Sequence, residues 1–184
     1  YSSDQGFYIG DHGWDDKRWM YEESLKMPFI VKWPGVVKPG SRNTDLVQNL
    51  DYAQTFLEIA GAPQPKDMQG LSLVPLLKGE APKDWRKEVY YHYYEYPSVH
   101  MIPRHYGIRT KRYKLMHFYQ FGNEWEMYDL KTDPDELTNI YGNKKVEKVQ
   151  KSLTNRLKNL REDYEDDSDV SIRPDYIQLY RKKS

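Results

Sequence analysis

The amino-terminal segment, residues 1–34, constrains the fold more than any other part of this chain. It begins Tyr-Ser-Ser-Asp-Gln-Gly, passes through a glycine-rich stretch and reaches the apolar run Phe29–Trp33, which Pro34 ends. The short residues before Asp4 and Gln5 indicate the end of a strand. In an open α/β sheet the carboxyl ends of strands face the crevice where ligands bind. The segment therefore predicts an α/β sheet with polar side chains at one edge.

Composition removes several classes of function. The 184 residues are 38% hydrophobic and 30% charged, as in ordinary globular proteins. The formal net charge is zero, so we expect no nucleic-acid partner. The chain has no cysteine, which excludes disulfides, thiolate metal sites and a cysteine nucleophile. It also lacks a run of eighteen apolar residues, so we expect no membrane span.

Turn residues and composition divide the chain into three parts: residues 1–79, residues 80–166 and a tail over residues 167–184. The first part is predicted to be α/β, with Phe29–Trp33 as a buried strand. Asp51 is placed as the N-cap of a helix of about ten residues. One face of that helix is apolar and is expected to be buried. It consists of Tyr52, Phe56, Ile59 and Ala60.

The second part is predicted to be α+β. Val89–Glu95, a hairpin over Tyr106–Phe118 and Trp125–Leu130 read as neighbouring strands with short links, which favours an antiparallel sheet. A long helix follows, with apolar residues at spacings of three and four, and we expect this stripe to lie on the sheet. The stripe runs through Val146, Val149, Leu153, Leu157, Leu160 and Tyr164.

Four residues of the amino-terminal segment are candidates for a site. The oxygens of Asp4 and Gln5 suit a hard cation, although the same residues also suit an Asx-type turn without metal. Lys17 suits an anionic ester held near that cation, or a solvated surface. His12, between glycines, suits a donor to substrate, a general acid or a residue that tethers the loop.

Taken together, these motifs closely resemble the sulfatase family, the formylglycine-dependent branch of the alkaline-phosphatase superfamily. The amino-terminal half of the resemblance lies in Ser3–Gly6, Gly10–Gly13 with Lys17, Tyr21–Ser24, Trp33–Gly35 and Asn49–Leu57. The rest lies in Gln69–Leu73, Arg109-Thr110, Tyr113–Leu115 and Tyr128–Leu130. The resemblance implies an alkaline-phosphatase-like catalytic domain for residues 1–79, followed by the family's C-terminal sheet and helix.

The resemblance also implies roles for these residues. Asp4 and Gln5 match the later pair of ligands to a divalent cation, usually calcium. Lys17 matches a lysine that contacts the sulfate, and His12 is placed at the substrate rim or in loop structure. The family's formylglycine precursor, in a Cys/Ser-x-Pro-x-Arg motif, has no counterpart here. We therefore expect the C-terminal portion of a sulfatase, inactive alone and completed by an N-terminal part of the same protein.

The segment between the first two predicted strands of the second part resembles sulfatases that act on sulfated hexosamines and glycosaminoglycan fragments. His100, Arg104 and His105 lie on this segment, where they would contact a sulfated sugar or tie the loop to the catalytic domain. The family also implies a periplasmic, secreted or lysosomal location.

Two other functions stay open from the sequence. One is a phosphomonoester or phosphonate hydrolase of the same superfamily, which shares the metal chemistry. The other is a module without catalysis, in which residues 80–184 bind glycans or form an interface. We also expect self-association of the chain alone or partial disorder in residues 1–79, unless a partner supplies the missing elements, because open sheet edges and apolar faces would lack partners.

Overall fold

The computed structural model describes residues 1–168. The strands in chain order are β1 (Tyr8–Ile9), β2 (Asp15–Asp16), β3 (Glu88–Tyr93), β4 (His105–Thr110), β5 (Tyr113–Phe118) and β6 (Glu124–Asp129). The helices are α1 (Glu22–Leu25), α2 (Asp51–Ile59), α3 (Val74–Leu77) and α4 (Glu147–Asp163). Among these residues no helix combines the length and apolar character that crossing a membrane requires.

Strands β3 to β6 form an antiparallel sheet in which sequence neighbours are also neighbours in space. The β4–β5 hairpin pairs Arg109 with Lys114 and closes through a tight turn, as its sequence predicts. The predicted stripe of α4 packs on one face of the sheet, where Leu153 and Leu157 join Ile108. The α/β fold class with an antiparallel sheet and a long helix is therefore confirmed.

The opposite face of the sheet carries the amino-terminal segment. Tyr8, Met20 and Tyr21 pack against Met116 and other side chains of the sheet in one buried cluster. Gly107 of β4 makes this approach possible. A Cβ there would lie 2.6 Å from the Met20 sulfur and 2.4 Å from the backbone oxygen of Leu115. The candidate site residues of the amino-terminal segment therefore lie on the face of the β3–β6 sheet opposite α4.

The strand predicted at Phe29–Trp33 is wrong. Phe29 forms a single antiparallel bridge with Ser2, and Tyr1 and Ile30 exchange two backbone hydrogen bonds. A strand needs a continuous ladder, and the described residues offer this segment only the first residues of the chain.

Helix α2 begins at Asp51, but Leu50 occupies the N-cap position, so the predicted N-cap is also wrong. The Asp51 carboxylate instead accepts the amides of Gln48 and Leu71, and it pairs with Arg86. The predicted apolar face is not covered in the described residues, where Phe56 is 69% exposed. It lines an open apolar cavity of about 560 Å³.

The division near residues 79 and 80 remains a prediction. The predicted tail starts at residue 167, and residues 169–184 lie outside the described part of the chain.

Candidate functional site

Asp4 and Lys17 form an ion pair across the amino-terminal segment. The Lys17 Nζ donates to Asp4 Oδ2, and the Asp4 side chain is 73% exposed whereas that of Lys17 is 21% exposed. This hydrogen bond lowers the pKa of the Asp4 carboxyl group. The structure therefore sets an ionised, open carboxylate directly beside a cation, although thirteen positions separate them in the chain.

Gln5 and Asp4 line the same cavity of about 650 Å³. Lys17 is not one of its lining residues, but it reaches the cavity's edge through its contact with Asp4. The cavity lies between the amino-terminal segment, the loop over residues 43–50 and strand β3, and Arg109 adds a cation to its wall.

Gly6 fixes this loop against α1. Its amide donates to the backbone oxygen of Ser24 at 2.8 Å. A Cβ at this position would lie 1.9 Å from the backbone oxygen of Glu23, so only glycine allows such a close approach. Asp4 and Gln5 consequently sit at a defined place relative to helix α1.

The loop that carries Lys17 has an unusual backbone. Asp16 and Arg18, on either side of it, both have positive φ angles, 73° and 102°. The Arg18 guanidinium pairs with Asp16, and His100 Nδ1 lies 3.0 Å from the same carboxylate. His100 is thus brought to the Lys17 loop from the connection between β3 and β4.

His12 is held by aromatic side chains. Its ring stacks on Trp14 and Tyr21 at centroid distances of 5.6 and 4.9 Å, and its Nε2 lies 3.4 Å from Glu23 Oε2. Only 12% of the side chain is exposed. This arrangement fits the loop-tethering role among the three that the sequence left open.

The structure separates the other two residues of the β3–β4 connection. Arg104 donates to the backbone oxygen of Tyr96 at 2.5 Å and so ties this connection to itself. The prediction that His105 lies on the β3–β4 connection is wrong. His105 is the first residue of β4 and is fully buried. Its Nδ1 lies 2.8 Å from the oxygen of Pro103, and its ring stacks on Trp19 and Tyr93. Burial lowers the pKa of His105 to about 4. In this placement His105 has no exposed surface with which to reach a sugar.

A buried cluster of charged side chains lies beneath the site and was not predicted from the sequence. Lys114 of β5 is fully buried and lies 2.8 Å from Glu136 Oε1 and 3.0 Å from Glu22 Oε1. Arg109 donates twice to Glu22, and Glu136 accepts the amide of Glu22 at 2.7 Å. We call these four residues, Glu22, Arg109, Lys114 and Glu136, the buried charge cluster.

The cluster balances two carboxylates against two cations. Burial acts to raise the pKa of Glu22, but Arg109 and Lys114 outweigh it and lower the value to about 2. For Glu136 burial prevails over Lys114, and its pKa is raised. Glu22 opens helix α1, so the cluster attaches α1 to the sheet. Its members lie up to 114 positions apart, and no local motif signals their contact.

The residues present fit part of a cation site. Asp4 is ionised and open, and Gln5 adds an amide oxygen to the same cavity, as a hard cation prefers. Within residues 1–168 no three His, Cys, Asp or Glu side chains gather closely enough to hold a metal ion. Among the described residues, Asp4 and Gln5 therefore offer two of the several oxygen ligands that a hard cation takes.

Comparison of the sequence with known protein families identifies the family of this chain. Residues 10–163 match the family model described as N-sulphoglucosamine sulphohydrolase, C-terminal. The chain belongs to the sulfatase family. It is 52% identical over 168 residues to an N-acetylglucosamine-6-O-sulfatase of Bacteroides thetaiotaomicron, covering 90% of this chain and 30% of that sulfatase. It is 40% identical over 95 residues to the human N-acetylglucosamine-6-sulfatase, covering 50% of this chain and 17% of the human protein.

Solved structures share the fold. One, of a protein in complex with its substrate D-glucosamine-2-N,6-O-disulfate, superposes with a TM-score of 0.89 at 50% identity, over 94% of this chain and 35% of the other. A phosphonate monoester hydrolase of Agrobacterium radiobacter superposes with a TM-score of 0.76 at 25% identity, over 88% of this chain and 34% of the other. The chain thus spans about a third of the length of these relatives.

Proposed function

We propose that this chain is the C-terminal portion of an enzyme that hydrolyses sulfate monoesters on sulfated hexosamines, with 6-O-sulfated glucosamine as the preferred class. The observation that carries the proposal is the 52% identity, over 90% of the chain, to a sulfatase named for N-acetylglucosamine 6-O-sulfate. The substrate class of the solved relative, a glucosamine disulfate, agrees with it.

Asp4, Gln5 and Lys17 form one wall of the proposed site. Asp4 and Gln5 would hold a divalent cation, by family calcium, together with ligands from the rest of the protein, and the bound cation would supply positive charge against the sulfate ester. Lys17 contacts the sulfate oxygens and stabilises the charge that develops there as the ester bond breaks. Its contact with Asp4 keeps the ammonium group beside that carboxylate.

The rest of the protein supplies the nucleophile. A formylglycine residue, by family, would supply a hydroxyl of its hydrated aldehyde as the nucleophile toward sulfur, and this chain contains neither the cysteine nor the serine form of the precursor motif. The proposed partner of residues 1–184 is therefore the N-terminal part of the same protein. The proposed location is the periplasm, the lysosome or the cell exterior, where sulfated glycans are degraded by this family.

The β3–β4 connection supplies the sugar side of the site in this proposal. His100 is 32% exposed and adjoins the Lys17 loop through Asp16, so it can donate to a sugar hydroxyl near the sulfate. Arg104 and His105 hold the connection rather than the sugar, Arg104 through Tyr96 and His105 through burial at the start of β4.

The test is sulfate release by the whole enzyme from N-acetylglucosamine 6-sulfate and from the 2-N,6-O-disulfate. N-sulfoglucosamine without a 6-sulfate is the matched control substrate. We expect release from the first two and none from the control. Release from the control alone, or from none of the three, would contradict the proposal.

Phosphonate ester hydrolysis is a second candidate, favoured by the superposition on the Agrobacterium enzyme. A phenyl phosphonate monoester assayed beside the sulfated sugars separates the two. A kcat/KM for the phosphonate above that for every sulfated sugar would establish the second candidate in place of the first.

A further inference from the structure

The backbone around Lys17 requires support from elsewhere in the molecule. Asp16 and Arg18 have φ angles of 73° and 102°, a region that residues with a Cβ rarely adopt. Such conformations persist only where surrounding contacts hold them, and they concentrate at functional sites. The contacts that hold the Lys17 loop are therefore candidates for residues that affect function without touching substrate.

Two side chains, one from α1 and one from β3, form hydrogen bonds with the backbone amide and the backbone carbonyl of Arg18. The Arg18 amide donates to the hydroxyl of Ser24 in α1 at 3.1 Å. The Tyr91 hydroxyl of β3 donates to the Arg18 carbonyl oxygen at 2.6 Å. Ser24 is fully buried, and Tyr91 packs against the cluster around Met20. The acceptor, Ser24 Oγ, and the donor, Tyr91 Oη, are therefore both held in position by packing in the core.

We propose that Ser24 and Tyr91 are positioning residues that hold Lys17 in place for the sulfate by clamping the backbone of Arg18. The proposal rests on the function proposed above. Ser24 joins the two halves of the site wall, because its backbone oxygen accepts from Gly6 while its hydroxyl accepts from Arg18. The spacing between Asp4 and Lys17 is then set by one residue of α1.

Tyr91 acts as the donor over the whole neutral pH range. Burial raises its pKa to about 12. The Tyr91 hydroxyl therefore keeps its proton and donates a hydrogen bond to the Arg18 carbonyl oxygen.

Two nearly isosteric substitutions, Ser24→Ala and Tyr91→Phe, remove one clamp bond each and leave the packing in place. In the whole enzyme we expect each to lower kcat/KM for N-acetylglucosamine 6-sulfate about ten- to hundredfold. Tyr128→Phe is the matched control, because it removes a phenol hydrogen bond of the same sheet, to Glu126, without contact to Arg18. We expect the control to remain within about twofold of wild type.

A double-mutant cycle separates positioning from general structural damage. In the Lys17→Ala background, Ser24→Ala and Tyr91→Phe should change kcat/KM less than twofold, because their effect passes through Lys17. Hydrogen exchange of the Arg18 amide gives a readout that needs no activity. We expect faster exchange in Ser24→Ala with the exchange of β3–β6 unchanged.

The inference is overturned if both variants have wild-type kcat/KM while Lys17→Ala is impaired. Equal fold-losses with and without Lys17 overturn it as well, as does unchanged exchange of the Arg18 amide in Ser24→Ala. In each case sulfate release by the wild type leaves the proposed function standing. If the wild type releases no sulfate, the proposed function fails and the inference fails with it.

Discussion

A histidine expected to serve a sugar lies instead in the aromatic interior. His105 stacks on Trp19 and Tyr93 and contacts the tilted ring of Phe118, and among the described residues its Nε2 has no hydrogen-bond partner. The ring is therefore kept neutral at pH 7, because a charge there would lie among aromatic rings without solvation.

This placement predicts a pH dependence of stability. The pKa of His105 falls from 6.5 to about 4 on folding, so below pH 6.5 the unfolded chain binds the proton more readily. The contribution is fully present above pH 6.5 and is lost as the pH falls from 6.5 to 4. We expect a loss of up to about 3 kcal/mol in the free energy of unfolding from this group.

The measurement is denaturant unfolding of the whole enzyme between pH 7.5 and 4, for wild type and His105→Phe. Phenylalanine fills the same aromatic cage without a titrating group. The difference between the two curves isolates His105 from the carboxylates that also titrate. A difference that stays constant across this range would contradict the predicted neutral histidine.

The resemblance to the sulfatase family, rather than the spacing of the residues, placed Asp4, Gln5 and Lys17 in one region. The structure brings Asp4 into contact with Lys17. The contacts that hold Lys17 were not predictable in this way. Tyr91 and Arg18 lie 73 positions apart. The sequence of a β-strand does not show whether its tyrosine packs in the core or forms a hydrogen bond with a distant backbone group.

At the level of secondary-structure elements, the buried charge cluster attaches helix α1 to the sheet. Lys114 is fully buried and pairs with both Glu22 and Glu136, and Arg109 also pairs with Glu22. Removing a single partner of a buried ion cluster leaves a charge that neither water nor protein compensates.

We therefore predict that Lys114→Met lowers the free energy of unfolding by about 3–5 kcal/mol. Adding Glu136→Gln should restore part of the loss, because it removes one of the two carboxylates that Lys114→Met leaves facing each other. Lys158→Met is the control, since Lys158 is 75% exposed and pairs with Glu162 of the same helix face. Urea unfolding monitors all three. Equal stability of Lys114→Met and Lys158→Met would refute a structural role for the cluster.

Elements with local patterns were predictable, and elements that depend on distant partners were not. The apolar residues of α4 recur at spacings of three and four, the β4–β5 hairpin has its turn residues between two adjoining strand segments, and both elements form as predicted. Phe29–Trp33 has the composition of a buried strand but lacks a full-length neighbour in the described residues. Composition reports the preference of a segment, whereas a strand exists only where another strand pairs with it.

For the molecule as a whole, the apolar face of α2 is the most conspicuous open surface. Phe56 is 69% exposed, Ile59 is 48% exposed and Ile30 opposite them is 66% exposed. These side chains line the apolar cavity of about 560 Å³. An apolar surface of this kind favours association in water, either with the rest of a protein or with another copy.

We predict that residues 1–184 produced alone self-associate through this face. Phe56→Glu should shift the population towards monomer, because it places a charge in the contact. Val99→Glu is the matched control, since Val99 is 93% exposed on the β3–β4 connection and does not line the cavity beside α2. Native mass spectrometry at micromolar concentration measures the populations. A monomeric wild-type chain, or equal populations for both variants, would exclude association through α2.

The measurement that tests the sulfatase assignment of this site most directly is the rate of sulfate release by the whole enzyme carrying Lys17→Ala. Lys158→Ala serves as the control for loss of a surface lysine. We predict that Lys17→Ala lowers kcat/KM for N-acetylglucosamine 6-sulfate by about 10²- to 10³-fold, because the negative charge on the sulfate oxygens loses the ammonium group that stabilises it as the ester bond breaks. Lys158→Ala should stay within about twofold of wild type. A Lys17→Ala enzyme with wild-type kcat/KM would contradict the account.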